Sequence, residues 1–309
     1  MSIKSPLPSI TPYTFGTMSL GKTLDAKEKD IAVARLAMEK KVWFHSSRAY
    51  ANGGTFEVLR QAFSESPREI PKCIFKITCE SAESIEDDVT CTLSALNCSK
   101  MAITQLSGRT HDKRAIVDDF IEQGPMYQAC HRLKRKGLVD NFVFEIFYSY
   151  ASDALKAVQH DLFDGYIFYY SLLERQVSNE IMHELTTRNL PVLSLRPVAG
   201  AFLVDPKKNA EKKLKDPNFP AFQRLEELAS IYAKSGCESY LEFCVRFLAS
   251  TPNVMTTIGG TANPKHLQEY IDTVDQARPL ATNLVEEIRQ LHAKWCREAD
   301  KYKFAMQLW

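Results

Sequence analysis

The stretch VWFHSSRAYANGG, residues 42–54, begins as an apolar strand and runs into polar, glycine-rich chain. Within the strand, Val42 and Phe44 face one side, and Trp43 and His45 face the other. A histidine at the end of a buried strand lies where strands of an α/β fold present functional side chains. The stretch therefore predicts a buried strand whose polar end belongs to a site.

Similar apolar segments recur along the chain and alternate with segments of helical periodicity. In the segment after residue 80, Ile85, Val89, Leu93 and Leu96 share one helix face. Helical spacing also marks residues 225–232 and about 238–250. The strand candidates are a segment near TPYTFGT (11–17), KVWFHS (41–46), CIFKIT (73–78), MAITQL (101–106), NFVFEIF (141–147), DGYIFYY (164–170), LPVLSL (190–195) and NVMTTI (253–258). Eight strands alternating with helices are typical of a closed (β/α)₈ TIM barrel, and an open doubly wound sheet gives a similar pattern.

Two features favour the closed barrel. No G-x-G-x-x-G motif follows the first strand, so the dinucleotide fingerprint of an open sheet is missing. Polar or glycine residues also follow several different strands, as they do around the active site of a barrel. These are His45 and Ser46, Ser107 and Arg109, Arg196, and Gly259 and Gly260.

Composition and charge limit the class of partner. The chain has 309 residues, 45% of them apolar and 25% charged, which is enough for one large α/β domain, and we expect a single domain over residues 1–309. The net charge of +1 provides no general attraction to nucleic acid or to a membrane surface. We expect a small-molecule partner and, because no signal-like segment or long apolar run is present, a cytoplasmic protein. The sequence does not indicate the oligomeric state.

The eight cysteines are scattered, and no pair has the two-residue spacing of zinc or redox motifs. Free cysteine commonly packs as a small apolar side chain. We therefore expect reduced thiols and no metal site.

Several short motifs together resemble the aldo-keto reductases. They are FGTMSLG (15–21), RAYANGGTFEVLRQAF (48–63), IFKIT (74–78), YYSLLERQVSNEI (169–181), LSLRPVAGAFL (193–203) and TIGGTANPKHLQEYID (257–272). They occur in the order and spacing of that family and cover nearly the whole chain. The resemblance implies a (β/α)₈ barrel, NADP or NAD as the cofactor, and an aldehyde, ketone or sugar-like carbonyl as the substrate.

The family's catalytic aspartate, tyrosine, lysine and histidine are only half retained. By this resemblance, Tyr50 is the proton donor, and Lys76 is the lysine that lowers the pKa of that tyrosine. His45 occupies the position of the aspartate, and Ser107 that of the histidine. Since an imidazole beside a lysine avoids a positive charge, we expect His45 to be neutral and either to act as a general acid or base or only to satisfy a hydrogen bond.

Lys76 and Glu145 are charged residues within apolar strands, where each needs a partner or a function. The alternative for Lys76 is a side chain that snorkels from the strand end to solvent. Glu145 either lines the barrel mouth or pairs with a cation such as Lys76. We therefore form the hypothesis that Glu145 reaches Lys76 and replaces the missing aspartate.

The implied cofactor site is also only partly retained. The family's serine, asparagine and glutamine that hold the nicotinamide carboxamide correspond to Glu145, Ile146 and Ile167, and its stacking aromatic corresponds to Leu195. Arg196 is either a phosphate ligand or part of a surface salt bridge. The family position that contacts the 2′-phosphate of NADP corresponds to Lys265 or His266, and these residues leave the choice between NADP and NAD open. The expected cofactor-binding residues are Gly16, Thr17, Arg196, Ala199, Gly200, Gly260, Thr261, Lys265 and Glu269.

Two functions remain open from the sequence. Retained Tyr50 and Lys76 favour an NAD(P)H-dependent carbonyl reductase. The lost carboxamide contacts favour a barrel without hydride transfer, which binds a nucleotide or metabolite or catalyses proton transfer as an isomerase, epimerase or lyase. The lysine-rich segment 205–220 is expected to be a solvated loop or, alternatively, a phosphate-steering lid.

Overall fold

The computed structural model describes residues 4–23, 25, 27–67, 70–107, 114–146, 151–200, 202–204 and 221–298. Arg109 and the segments 147–150 and 205–220, on which some expectations above fall, lie outside these residues. Among the described helices, none has the length and apolar character needed to span a membrane.

Eight parallel strands close into a barrel in chain order, with β1 paired to β8, as the sequence predicts for a (β/α)₈ fold. The strand bounds agree with the predicted segments to within about two residues at most ends, a common uncertainty. The strands are β1 (Tyr13–Gly16), β2 (Trp43–Ser46), β3 (Cys73–Thr78), β4 (Met101–Ser107), β5 (Val139–Glu145), β6 (Gly165–Tyr169), β7 (Val192–Leu195) and β8 (Val254–Gly259).

Helices surround the barrel. The predicted face of α3 is buried at Ile85, Val89, Leu93 and Leu96, and a capping box at Ser81 begins this helix. The helices are α1 (Lys27–Glu39), α2 (Gly54–Glu65), α3 (Ala82–Leu96), α4 (Arg114–Glu122), α5 (Pro125–Arg135), α6 (Ala151–Gln159), α7 (Asn179–Thr187), α8 (Ala221–Ser235), α9 (Tyr240–Ala249), α10 (Pro264–Gln276) and α11 (Thr282–Glu298).

Strand residues alternate between two apolar clusters, as the period of a strand requires. One cluster fills the barrel lumen and includes Trp43, Ile74, Ile103, Val143 and Ile167. Their chain neighbours belong to the larger cluster that packs against the helices, with members such as Phe44, Phe75, Phe144 and Phe168. The predicted orientation of Trp43 and Phe44 is therefore confirmed.

The thiols are free at all eight cysteines, as the sequence predicts. Four of them are buried, at Cys73, Cys79, Cys130 and Cys244, and Cys91 is exposed. These four lie in the apolar core, and Cys98 and Cys237 are partly buried against it, so the expectation of apolar packing holds for six of the eight.

The amino-terminal segment seals the end of the barrel opposite the polar strand ends. Leu7 and Ile10 pack against the lumen cluster. The carboxylate of Asp164, only 4% exposed, accepts hydrogen bonds from Ser5 N at 2.6 Å, Phe142 N at 2.7 Å and Lys134 Nζ at 2.7 Å. One buried carboxylate therefore joins the amino-terminal segment, β5 and α5.

Asp164→Asn should lower the free energy of unfolding by about 2–4 kcal/mol, because an amide cannot accept all three donors and leaves Lys134 without its counter-charge. Urea unfolding at pH 7 measures this change. The control is Asp140→Asn, which removes a more exposed ion pair to Lys100 and should cost less than about 1 kcal/mol. Equal losses in the two variants would contradict the sealing role of Asp164.

Candidate active site at the carboxyl end of the barrel

Four polar side chains on adjacent strands point into the carboxyl end of the lumen. Each lies two positions after one of the lumen residues named above and so shares its orientation. They are His45 on β2, Lys76 on β3, Gln105 on β4 and Glu145 on β5. Their meeting at the carboxyl ends of parallel strands defines the candidate site.

Lys76 and Glu145 form an ion pair across this mouth. Lys76 Nζ lies 3.1 Å from both carboxylate oxygens of Glu145. The side chain of Glu145 is 2% exposed and that of Lys76 is 29% exposed. The predicted contact is confirmed, and the alternative that Lys76 only snorkels to solvent is wrong, since its ammonium lies on a buried carboxylate.

His45 is held by Gln105, which the sequence analysis did not single out. The two side chains are buried, and His45 Nε2 lies 2.6 Å from Gln105 Oε1. An amide oxygen can only accept, so this contact is a hydrogen bond in the tautomer that carries its proton on Nε2. The signal in the sequence that could have identified Gln105 is its place in the strand MAITQL, two residues after Ile103, which gives it the same orientation as that lumen residue.

The imidazole of His45 is neutral at pH 7, as predicted. Its pKa is lowered to about 4, chiefly by burial and also by the charge of Lys76, while the hydrogen bond to Gln105 and the charge of Glu145 oppose this shift. The hydrogen bond to Gln105 supports the interpretation that His45 only satisfies a hydrogen bond at this position. A catalytic role of His45 stays a prediction.

Tyr50 lies at the rim of the site in a strained turn. It begins a 3₁₀ turn, Tyr50–Gly53, in which Ala51 and Asn52 have φ of 49° and 52°. Such backbone conformations are uncommon for residues other than glycine and are often found at functional sites. The ring of Tyr50 is half-buried, with its centroid 6.3 Å from that of His45.

The effect of Lys76 on Tyr50 differs from that implied by the family resemblance. Burial raises the pKa of Tyr50 well above its usual value, and the charges of Glu145 and Tyr169 raise it further. The hydroxyl makes no hydrogen bond to a described residue, and Lys76 pairs with Glu145. The expected acidification of Tyr50 is therefore wrong for this structure, and the phenol is a neutral, unoccupied donor.

Ser107 ends β4 with the same orientation as Gln105 and is buried. Its carbonyl oxygen accepts the amide hydrogen of Cys79 at 3.0 Å. It lies at the barrel mouth, and none of its contacts within the described ranges joins it to Lys76 or Tyr50. A role for Ser107 in place of the family's histidine stays a prediction.

Arg196 follows β7 and belongs to a charged arrangement rather than to a surface salt bridge. Its Nη1 lies 3.8 Å from Oε1 of Glu174, which is fully buried. Its guanidinium lies 4.9 Å from the ring centroid of Tyr169. Its backbone φ is 59°, a second strained position at the barrel mouth.

Two expected cofactor contacts are used inside the protein. Thr17 is fully buried, and its hydroxyl lies 2.8 Å from Ser46 Oγ and 3.1 Å from the His45 carbonyl oxygen. Ala199 is also fully buried, and its amide donates to the Arg196 carbonyl oxygen at 2.8 Å. Thr17 joins the ends of β1 and β2, and Ala199 closes a turn, so neither offers these groups to a ligand.

The glycines at the end of β8 allow two loops of the barrel to pack closely against each other. A Cβ added to Gly260 would lie 2.1 Å from the Gly16 carbonyl oxygen, so the absence of side chains lets the two loops meet. Thr261 Oγ1 accepts from Asn263 N at 3.0 Å, and Asn263 caps α10 through Lys265 N. Gly200, Gly260, Lys265 and Glu269 are exposed and remain candidates for ligand contact.

His45 and His292, the buried histidines of the described residues, make stability depend on pH. Burial also lowers the pKa of His292 to about 3, as burial does for His45, with a pKa of about 4. An unfolded histidine titrates near 6.5, so the unfolded chain binds these protons first as the pH falls. Their contribution is complete above pH 6.5 and is lost progressively as the pH falls toward 4 and 3.

Between pH 7 and pH 5, we therefore expect each of these histidines to lower the free energy of unfolding by about 2 kcal/mol. His292→Phe should remove roughly half of their combined pH-dependent loss, measured by urea unfolding at both pH values. Exposed His183→Gln is the control and should leave the difference unchanged. An unaltered pH dependence in His292→Phe would contradict the assignment.

The closed barrel and the polar side chains at its mouth define a (β/α)₈ protein with a site built in the usual place for this fold. A model of the aldo/keto reductase family matches residues 13–293. The chain belongs to this family.

Solved structures of the same fold come from several bacteria. An aldo-keto reductase from Klebsiella pneumoniae in complex with NADPH has 15% identity and a TM-score of 0.67, covering 95% of this chain and 96% of that one. The holo form of an aldo-keto reductase from Bacillus halodurans has 18% identity and a TM-score of 0.72, covering 94% and 95%. A glycerol dehydrogenase from Gluconobacter oxydans has 16% identity and a TM-score of 0.71, covering 95% and 96%.

At such identities the likeness shows the fold alone. No curated protein sequence gives a significant match. The particular reaction must therefore be argued from the site.

Proposed function

We propose that this protein is an NAD(P)H-dependent reductase of a small aldehyde, ketone or sugar-like carbonyl. The observation that carries the proposal is the Lys76–Glu145 ion pair inside the barrel mouth, with Nζ 3.1 Å from both carboxylate oxygens. A carboxylate from β5 accompanies the lysine here, in place of the family's aspartate on β2. The positive charge of Lys76 is thus still balanced by a carboxylate, which comes from β5 instead of β2.

Tyr50 is the proposed proton donor to the substrate oxygen. Its hydroxyl makes no hydrogen bond within the described part of the chain, so it is available to a ligand. Its raised pKa keeps it protonated at pH 7. An alkoxide developing in the transition state is a stronger base than a phenolate, so transfer from a neutral phenol is still favourable.

The side chains near β7 and β8 fit a dinucleotide at its phosphate and adenosine end. Arg196 is a cation able to bind phosphate with two hydrogen bonds, and Gly200, Gly260 and Lys265, in the loops and helix start that follow β7 and β8, are exposed. The loops after strands seven and eight commonly bind phosphate in this fold. When bound, the cofactor supplies hydride for the carbonyl carbon, and Lys265 favours NADPH through its charge.

The nicotinamide end fits less fully. Ile146 and Ile167 are fully buried and apolar, so neither can bind the carboxamide. Glu145 can accept a hydrogen bond from the carboxamide nitrogen, which a serine hydroxyl would otherwise do. The cofactor would therefore be held mainly by its phosphates and adenosine.

The second candidate is a barrel without hydride transfer, which binds a metabolite or catalyses proton transfer. The raised pKa of Tyr50 beside the Glu145 carboxylate favours it, because that charge opposes loss of the phenolic proton. In this case Glu145, Lys76 and His45 would move protons or bind ligand with no nicotinamide present. The free thiols favour a reducing compartment in both cases, and we propose a cytoplasmic location.

Titration of the purified protein with NADPH and with NADH, followed by nicotinamide fluorescence, tests the proposal. We expect saturable binding, with tighter binding of NADPH, and oxidation of the bound cofactor when small aldehydes and ketones are added. Arg196→Met should weaken cofactor binding at least tenfold by removing a charge-assisted contact to phosphate. Absence of binding at millimolar cofactor would exclude hydride transfer and leave the second candidate.

A further inference from the structure

A cleft opens beside the candidate site, between the loop after β2 and the amino-terminal half of α3. Its volume is about 320 Å³, which is at the small end for ligand pockets. Since a water molecule in the liquid takes about 30 Å³, the cleft has space for roughly ten non-hydrogen atoms. Its lining includes Ser47, Arg48, Lys76, Thr78, Asp87 and Asp88.

Lys76 connects this cleft to the barrel mouth. It lines the cleft and also pairs with Glu145. A molecule whose reacting end lies near Lys76 and Tyr50 can therefore extend its other end toward α3. The cleft thus has the position of a subsite for the part of a substrate that does not react.

The wall of the cleft is fixed by Asp88. One carboxylate oxygen of Asp88 lies 2.5 Å from Arg48 Nη2, and the other accepts Thr78 N at 2.9 Å. These contacts join α3 to the end of β3 and to the loop after β2. The charge of Arg48 is thereby compensated within the wall.

Asp87 supplies the unmatched charge of the cleft. It is exposed on α3 and makes no hydrogen bond or ion pair with any residue of the described ranges. The charges of the Arg48–Asp88 and Lys76–Glu145 pairs cancel. The cleft therefore carries a net negative charge at its rim, with the hydroxyls of Ser47 and Thr78 in its wall.

We propose that the cleft binds the tail of the substrate and selects a short tail that carries an ammonium group, in preference to a neutral or an anionic tail. The ammonium binds Asp87, and tail hydroxyls bind Ser47 or Thr78. A carboxylate tail is disfavoured by repulsion from Asp87. The substrate class rests on the proposed reductase function, whereas the ligand preference of the cleft does not.

Three alcohols of similar length test this preference without turnover: 4-aminobutan-1-ol, butane-1,4-diol and 4-hydroxybutanoate. Binding is measured by protein-observed NMR titration at low salt, with shifts followed at Ser47–Ala49 and along α3. We expect the amino alcohol to bind about threefold to fivefold more tightly than the diol, the range of one exposed ion pair, and 4-hydroxybutanoate to bind most weakly. The preference should diminish with added salt.

Asp87→Asn should abolish the preference for the amino alcohol and leave diol binding unchanged. Glu226→Gln, an exposed carboxylate on α8, is the matched control and should keep the preference. Equal or tighter binding of 4-hydroxybutanoate, an unchanged preference in Asp87→Asn, or no binding of any alcohol would overturn the proposal. A retained preference without any NADPH oxidation would instead reject the reductase function alone.

Discussion

Replacing Lys76 with methionine should lower the free energy of unfolding by about 3 kcal/mol at pH 7. The change takes the ammonium away from the carboxylate of Glu145, which is 2% exposed, and a buried charge deprived of its partner is strongly destabilising. Urea unfolding followed by circular dichroism measures the loss. The rate of the proposed carbonyl reduction should fall as well. Among the described side chains that point into the lumen, Lys76 is the only cation, and the variant removes it.

The double variant Lys76→Met/Glu145→Leu removes both charges and so tests whether the loss in Lys76→Met comes from the unpaired carboxylate. Well-packed apolar replacements of a buried ion pair are often neutral or stabilising, so we expect its stability to return to within about 1 kcal/mol of the original. Lys100→Met, which removes a more exposed partner of Asp140, should cost less than about 1 kcal/mol. A loss in Lys76→Met no larger than in Lys100→Met would show that the pair does not matter for stability.

Tyr50→Phe should lower kcat for carbonyl reduction by about 10²–10⁴, the usual contribution of a positioned proton donor. The free energy of unfolding should change by less than about 1 kcal/mol, since the hydroxyl makes no hydrogen bond to a described residue. The dissociation constant of NADPH should also stay within about threefold of the original. A large effect on rate alone therefore identifies the hydroxyl as the donor.

Tyr166→Phe is the matched control for this change. Its hydroxyl donates to the Ala157 carbonyl oxygen at 2.8 Å, away from the mouth, so its removal should affect stability and leave the rate of the folded protein intact. If Tyr50→Phe kept more than about a tenth of the original kcat, Tyr50 would not be the proton donor.

The sequence prediction of the site depended on two charged residues within apolar strands. Lys76 and Glu145 each needed a partner or a function there, and this need predicted their contact. The distance of 3.1 Å confirms that reasoning. The alternation of apolar segments with helical ones predicted eight strands. The missing dinucleotide motif and the polar or glycine residues after several strands favoured closure.

The same reasoning could not predict how the site's charges act on one another. The pKa of Tyr50 depends on its burial and on the charges of Glu145 and Tyr169. These three residues lie on different elements, namely the turn after β2, β5 and β6. Gln105 and Glu174 were missed because a single polar residue in an apolar segment does not reveal its partner. Thr17 and Ala199 match the family motifs, yet their polar groups are satisfied within the protein.

We propose that Glu145 supplies the negative charge that the family takes from an aspartate on β2. The direct test is kcat/KM for NADPH-dependent reduction in Glu145→Ser and in the double variant His45→Asp/Glu145→Ser, which moves the carboxylate back to β2. We predict a loss of about 100-fold in the single variant and recovery to within about tenfold of the original in the double variant. Full activity in Glu145→Ser, or a double variant no better than the single one, would contradict the claim.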